Sequence, residues 1–196
     1  MKQITKYFEV AATALALTLF AAAEGIPSNN TTNADQLVAA NAVLQRPFNA
    51  KNAKQGSSIT AKLTKTIHLN GTTLPRNTLL VGHVDMVKPS IDDSVSKVVL
   101  TFDQARLEDG KKIPIKSTLV GIYPAGTVLT TPQLNPALQT LQEPSGSHGL
   151  RLTSNVEGTN SGTLSSNGRN VKLSSGTELQ FAVAPSSASG GSAIGG

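Results

Sequence analysis

The sequence predicts a mainly β protein: a small antiparallel β-barrel or sandwich with a short N-terminal helix, a cleavable signal helix and a flexible C-terminal tail. Three observations carry that expectation. Apolar residues alternate with polar ones at Ile59, Ala61 and Leu63, at Leu80, Gly82 and Val84, and at Val98, Leu100 and Phe102, a period of two that marks half-buried strands. Turn dipeptides separate these runs at Asn70-Gly71, Asp109-Gly110 and Asn167-Gly168, where both residues accept the positive φ that tight hairpins need. There are no tryptophans, only two tyrosines and 38% hydrophobic residues among 196, so the core is small and built from Val, Ile, Leu and a few Phe.

The N-terminus reads as an address. Lys2 and Lys6 precede an apolar run over 10–20, followed by Ala21, Ala22 and Ala23 before Glu24. That order is a secretory signal peptide over 1–23, cleaved after Ala23. The run is shorter than the roughly 20 residues a bilayer span needs, so no stable membrane span is expected after cleavage. The protein is therefore expected to be exported through the inner membrane, periplasmic or secreted. The net charge is +5; Lys2, Lys6 and Glu9 contribute one positive unit, so the remainder carries +4. Its cations are scattered, which describes a solvated basic surface rather than a nucleic-acid footprint. The absence of cysteine excludes disulfides, thiolate metal sites and a thiol nucleophile.

Residues 24–55 read as a linker with a short helix. Leu37, Val38, Ala40, Val43 and Leu44 fall near helical spacing over 34–44, Asn33 is a candidate cap, and Pro47 ends the run. The β-domain is expected over 56–184. Within it, 59–69 reads as a strand leading to Asn70-Gly71, and a second polar turn at 75–77 leads into the strand from Thr78 to Met86. The strand over 97–107 turns at Asp109-Gly110 into a return strand, where Pro114 argues for an edge position or a strand start. Residues 124–149, with Pro132, Pro136 and Pro144, read as a long excursion, functional or disordered because connections of that length are uncommon. Short strands follow near Leu150 and Leu152, at 162–166, at Val171 and Leu173, and at Leu179, Phe181 and Val183. Residues 185–196 form a low-complexity tail.

The motifs L-P-x-x-T-x-L-x-G-x-V over 74–84, V-x-L-x-F-D over 98–103, G-x-x-I-P-I over 110–115 and S-G-T-x-L-x-x-x-V over 175–183 together resemble the TrbI-like β-barrel. That family forms the scaffold of conjugation and type IV secretion channels. The pattern is also similar to small exported bacterial proteins that carry these strands alone. The resemblance covers about 56–123 and 171–183. It implies a barrel fold and, as one reading, a structural subunit of a secretion channel. The helical antenna and Pro-rich linker of channel scaffolds have no counterpart here, and residues 124–149 stand where an insertion would sit.

Catalytic signatures are absent: no G-x-S-x-G elbow, no phosphate-binding glycine loop and no H-E-x-x-H. No cofactor or metal site is assigned. Aromatics are too few to stack sugars or single-stranded nucleic acid. Three histidines, His68, His83 and His148, remain. If their strands pair, His68 and His83 approach each other, and His83 with Asp85 or Asp103 would make a histidine–carboxylate base for an exported hydrolase. Asp92 and Asp93, between Ser90 and Ser94, lack the ligand count and spacing of a calcium loop. The primary expectation is a non-enzymatic exported β-domain with a binding or scaffolding role at the cell envelope. Its expected partner is an envelope protein or a second copy through a sheet edge near Pro114, or a ligand of the long excursion.

Overall fold

The computed structural model describes residues 37–92, 94–130, 140–144 (backbone only) and 149–186. The expected signal helix, all but two residues of the expected tail, and His148 lie outside the described residues. Among the described residues thirteen strands run in chain order: β1 (Val38–Leu44), β2 (Phe48–Asn49), β3 (Ser58–Leu63), β4 (Ile67–Leu69), β5 (Thr72–Leu74), β6 (Leu79–Lys88), β7 (Ser96–Arg106), β8 (Lys112–Tyr123), β9 (Thr140–Pro144), β10 (Leu150–Asn155), β11 (Gly162–Ser166), β12 (Lys172–Leu173) and β13 (Glu178–Pro185). No helix occurs among the described residues.

Six strands close into an antiparallel barrel in the order β6-β3-β1-β13-β8-β7, with β7 pairing back onto β6. The period-two pattern sets which side chains enter it. Ala40, Ala42 and Leu44 from β1, Ile59, Ala61 and Leu63 from β3, and Leu80 and Val84 from β6 are all buried. Val98, Leu100 and Phe102 face them from β7, with Leu119 and Ile122 from β8 and Leu179, Phe181 and Val183 from β13. The rings of Phe102 and Phe181 meet edge to face, 5.1 Å between centroids and 73° between planes, the geometry the ring quadrupoles favour.

Closure needs bends, and the sequence supplies them. Register shifts lie between Val81 and Gly82 and between Val84 and Met86 on β6, and between Gln180 and Phe181 across β13 and β8. Such irregularities raise local twist. Gly82 permits the first: a Cβ there would run into the carbonyl oxygen of Thr101 and lie 2.9 Å from the Phe102 ring.

Four sequence expectations are corrected. The helix expected over 34–44 is a strand across Val38–Leu44; residues 34–36 lie outside the described residues. Alanine-rich sequence favours helix intrinsically, but β1 is hydrogen-bonded on both edges, to β13 and β3, and that pairing overrides propensity. The β-domain accordingly begins at β1, not at residue 56. The run over 59–69 is not one strand: β3 pairs directly with β6, from Ser58 opposite His83 to Lys62 opposite Leu79. Asn70-Gly71, with Gly71 at φ 74°, turns a separate hairpin of β4 and β5 that plugs the core with Ile67, Leu69 and Leu74. Last, there is no free edge at Pro114. It lies two residues into β8, opposite Gln104 of β7, and its carbonyl accepts the Ser186 N–H at 3.5 Å; the strand-start alternative describes it.

The sheet also branches. β7 pairs with β8 only from Gln104 to Arg106. Further along, from Ser96 to Leu100, β7 pairs with β11 instead, and β10 and β9 continue outward. The excursion thus contains a strand, β9, at the end of the nine-stranded order. Its first residues lie along the barrel wall, where Gln180 Nε2 donates to the Thr130 carbonyl at 3.0 Å.

Candidate binding cleft and the histidine–carboxylate cluster

Strands β6 and β7 bring His83, Asp85 and Asp103 together. His83 Nε2 lies 3.0 Å from Asp85 Oδ1, and His83 Nδ1 lies 4.0 Å from Asp103 Oδ2. Thr101, directly opposite His83 in the ladder, donates its hydroxyl to the other Asp85 oxygen at 2.6 Å. A histidine–carboxylate pair acts as a base when the far imidazole nitrogen addresses a nucleophile or substrate. Here the far nitrogen faces a second carboxylate, and the neighbouring hydroxyl is engaged by Asp85. The cluster lies on the outer wall, with the His83 side chain 43% exposed. It resembles a cross-strand polar pairing more than a reaction site.

The other candidates do not join it. His68 sits on the β4–β5 hairpin, 3.0 Å from Thr73 Oγ1, and β4 does not pair with β6. Ser90 and Ser94 are tied into their own loop: the Ser90 hydroxyl donates to the Ser94 carbonyl, and Ser94 Oγ accepts the Ile91 N–H. Asp92 has φ 48°, and Asp93 lies outside the described residues. Among the described residues no group of three or more His, Asp or Glu side chains is placed to hold a metal ion.

A different feature emerges at one end of the barrel. A cleft of about 680 Å³ lies between the 169–177 segment, the end of β11, the start of β10 and the first residues of the excursion. Its apolar lining comes from Leu150, Val171 and Leu173, all buried. Among the described residues its cations are Lys51, Arg169 and Lys172, and no carboxylate lines it. The local structure is well anchored. The Val171 N–H donates to Ser96 Oγ at 3.2 Å, and its carbonyl accepts the Ala50 N–H at 2.9 Å. β12 pairs with β2 through Lys172–Asn49 and Leu173–Phe48. The volume falls within the range of small-ligand pockets, about 300–1,000 Å³.

Sequence reasoning did not find this cleft. Lys51 stands in what reads as a polar connector, and Arg169 and Lys172 follow an Asn-Gly turn. The only local signal is two cations three residues apart beside alternating Val171 and Leu173, which ordinary surface strands share. Compared with protein-family models, curated proteins and solved structures, the chain matches none of them.

Proposed function

We propose that the protein is a non-enzymatic exported β-barrel module that binds or scaffolds through its surface at the bacterial cell envelope. One observation carries this reading. The barrel is closed and filled by Phe102, Phe181 and the leucines around them, so its interior holds side chains rather than a ligand, and the cleft on its end is lined by cations, apolar groups and the hydroxyls of Ser166, Ser174 and Thr177, with no histidine or carboxylate among the described residues to activate them. Export rests on the N-terminal pattern of Lys2, Lys6, the apolar run and Ala21–Ala23. No helix among the described residues is long and apolar enough to cross a membrane.

Expression of the tagged chain in a Gram-negative host, followed by fractionation and N-terminal mass measurement, tests the address. The expected product starts at Glu24 and leaves the cytoplasm; an uncleaved cytoplasmic product overturns it. Cross-linking in the envelope fraction then tests binding, and a chain that forms no adduct above a scrambled-surface control removes the scaffolding role.

A second reading, a structural subunit of a conjugation or secretion channel, is favoured by the strand motifs over 74–84 and 98–115 and by the barrel they build. Light scattering separates the two: ring-sized oligomers support the channel subunit, and a strict monomer opposes it. The third reading, an exported hydrolase, has the 3.0 Å His83–Asp85 contact in its favour.

A further inference from the structure

We propose that the cleft lined by Lys51, Arg169 and Lys172 docks an extended segment of a partner protein in which acidic and apolar residues alternate. The inference deepens the binding reading and rests on it.

The charge argument comes first. Three cations converge from chain positions 51, 169 and 172, and among the described residues no Asp or Glu lines the cleft. Among the described residues none of the three forms an ion pair; the two ion pairs found both belong to His83. A concave surface of one sign concentrates ligands of the other. Long basic side chains also cover apolar surface with their stems while keeping their charges in water, which suits the buried Leu150, Val171 and Leu173 beneath them.

The backbone argument separates an extended polypeptide from a small anion. β12 belongs to a two-stranded sheet and is laddered only to β2. Its second edge carries no strand ladder among the described residues, and Lys172 and Leu173 both line the cleft. An added strand finds main-chain partners along such an edge, and its side chains then point alternately to either side. In this cleft one side offers the basic rim and the other the apolar floor. An alternating acidic and apolar segment satisfies both; an all-acidic one leaves the floor unfilled.

The test uses the full chain as exported and a dye-labelled probe peptide of alternating Asp and Val, read by fluorescence anisotropy. Comparison probes replace every Asp by Asn, or every Val by Asp, and inorganic phosphate is titrated as a competitor. The protein variants are K51Q/R169Q/K172Q in the cleft and K97Q/K111Q/K112Q elsewhere on the surface. The expected result is binding of the Asp–Val probe that weakens at least tenfold in the cleft variant and less than threefold in the surface variant. It weakens at least tenfold with the Asn probe, and millimolar phosphate fails to displace it. Equal loss in both variants overturns the proposal, because it means diffuse charge attraction. Equal binding of the Asn probe, equal binding of the all-Asp probe, displacement by phosphate, or no binding overturns it too. Thermal melting checks that each variant folds, and the single R169E substitution at the exposed rim gives the same test if the triple variant does not. Envelope cross-links that persist in the cleft variant leave the scaffolding reading standing while this inference fails.

Discussion

The hydroxyl oxygens of Ser117 and Ser161 lie 3.1 Å apart inside the barrel, at the point where β7 parts from β8. Each polar atom there has a partner. Ser161 Oγ accepts the Phe102 N–H at 2.8 Å, and the Ser117 hydroxyl donates to the Phe102 carbonyl at 2.7 Å. That leaves the Ser161 proton for Ser117 Oγ. The Ser161 backbone bridges the same gap, donating to the Leu100 carbonyl at 2.8 Å and accepting the Leu119 N–H at 2.7 Å. Two serines thus replace the ladder that β7 and β8 lose when the sheet branches.

Ser161→Ala leaves the Phe102 N–H buried without its acceptor, which costs about 1–3 kcal/mol. Ser117→Ala removes the donor to the Phe102 carbonyl and the acceptor of the Ser161 proton, and costs about 1–3 kcal/mol as well. Denaturant melts of the two singles and the double should show coupling, since the residues share one network. Strict additivity would mean that the two hydroxyls act independently.

Gly82→Ala should destabilise by about 1–3 kcal/mol, the usual cost of forcing volume into a packed site. Its added methyl meets the Thr101 carbonyl and the Phe102 ring, and backbone on a paired strand has little room to yield. Gly71→Ala, on the surface with nothing within 4 Å of a Cβ, makes a useful contrast: any cost there comes from its φ of 74° alone. A Gly82→Ala protein as stable as the wild type in guanidinium would show that the close approach of β6 and β7 relaxes freely.

Glu178 opens β13 between Val43 on β1 and Tyr123 on β8, and burial raises its carboxyl above the ordinary 4.5. The folded state therefore holds this proton more tightly than the unfolded chain does. The stability that Glu178 contributes is present in full below its ordinary value and is lost as pH rises through the raised one. Glu178→Gln removes that dependence. Melting temperatures of variant and wild type should shift in the variant's favour between pH 4 and pH 7. Parallel curves would show that the carboxylate keeps its hydration.

His83→Ala should change stability by less than about 1 kcal/mol, because a half-exposed ion pair gains little in water. Under the scaffolding reading it also leaves cross-linking to envelope partners unchanged. A hydrolytic activity that appears in the wild type and vanishes in His83→Ala would instead establish the enzyme reading.

Much of the barrel was legible in the chain. Val98, Leu100 and Phe102 alternate as β7 does, and Asp109-Gly110 turns β7 into β8 where the sequence places it. β1 was not legible, because Ala40 and Ala42 suit a helix in isolation and become strand residues only with β13 and β3 on either edge. β9 carries no alternation of its own and exists as a partner of β10. His83 and Asp85 were legible as neighbours, being two residues apart on one strand. The cleft was not, since Lys51 is separated from Arg169 by more than a hundred residues and no short pattern connects them.

The sequence by itself determined the strand-rich class, the turn positions and the apolar residues that fill the barrel, and it carries the expectation of export. Those properties are local: side-chain alternation, turn chemistry and the order of charge, apolar run and small residues all act within a few positions. Only the tertiary structure decided closure, the branch stitched by Ser117 and Ser161, the conversion of an alanine-rich run into β1, and the meeting of three cations over an apolar floor. Each of these depends on hydrogen bonds and burial between segments far apart in the chain, and pairing energy of that kind outweighs local preference without leaving a local mark.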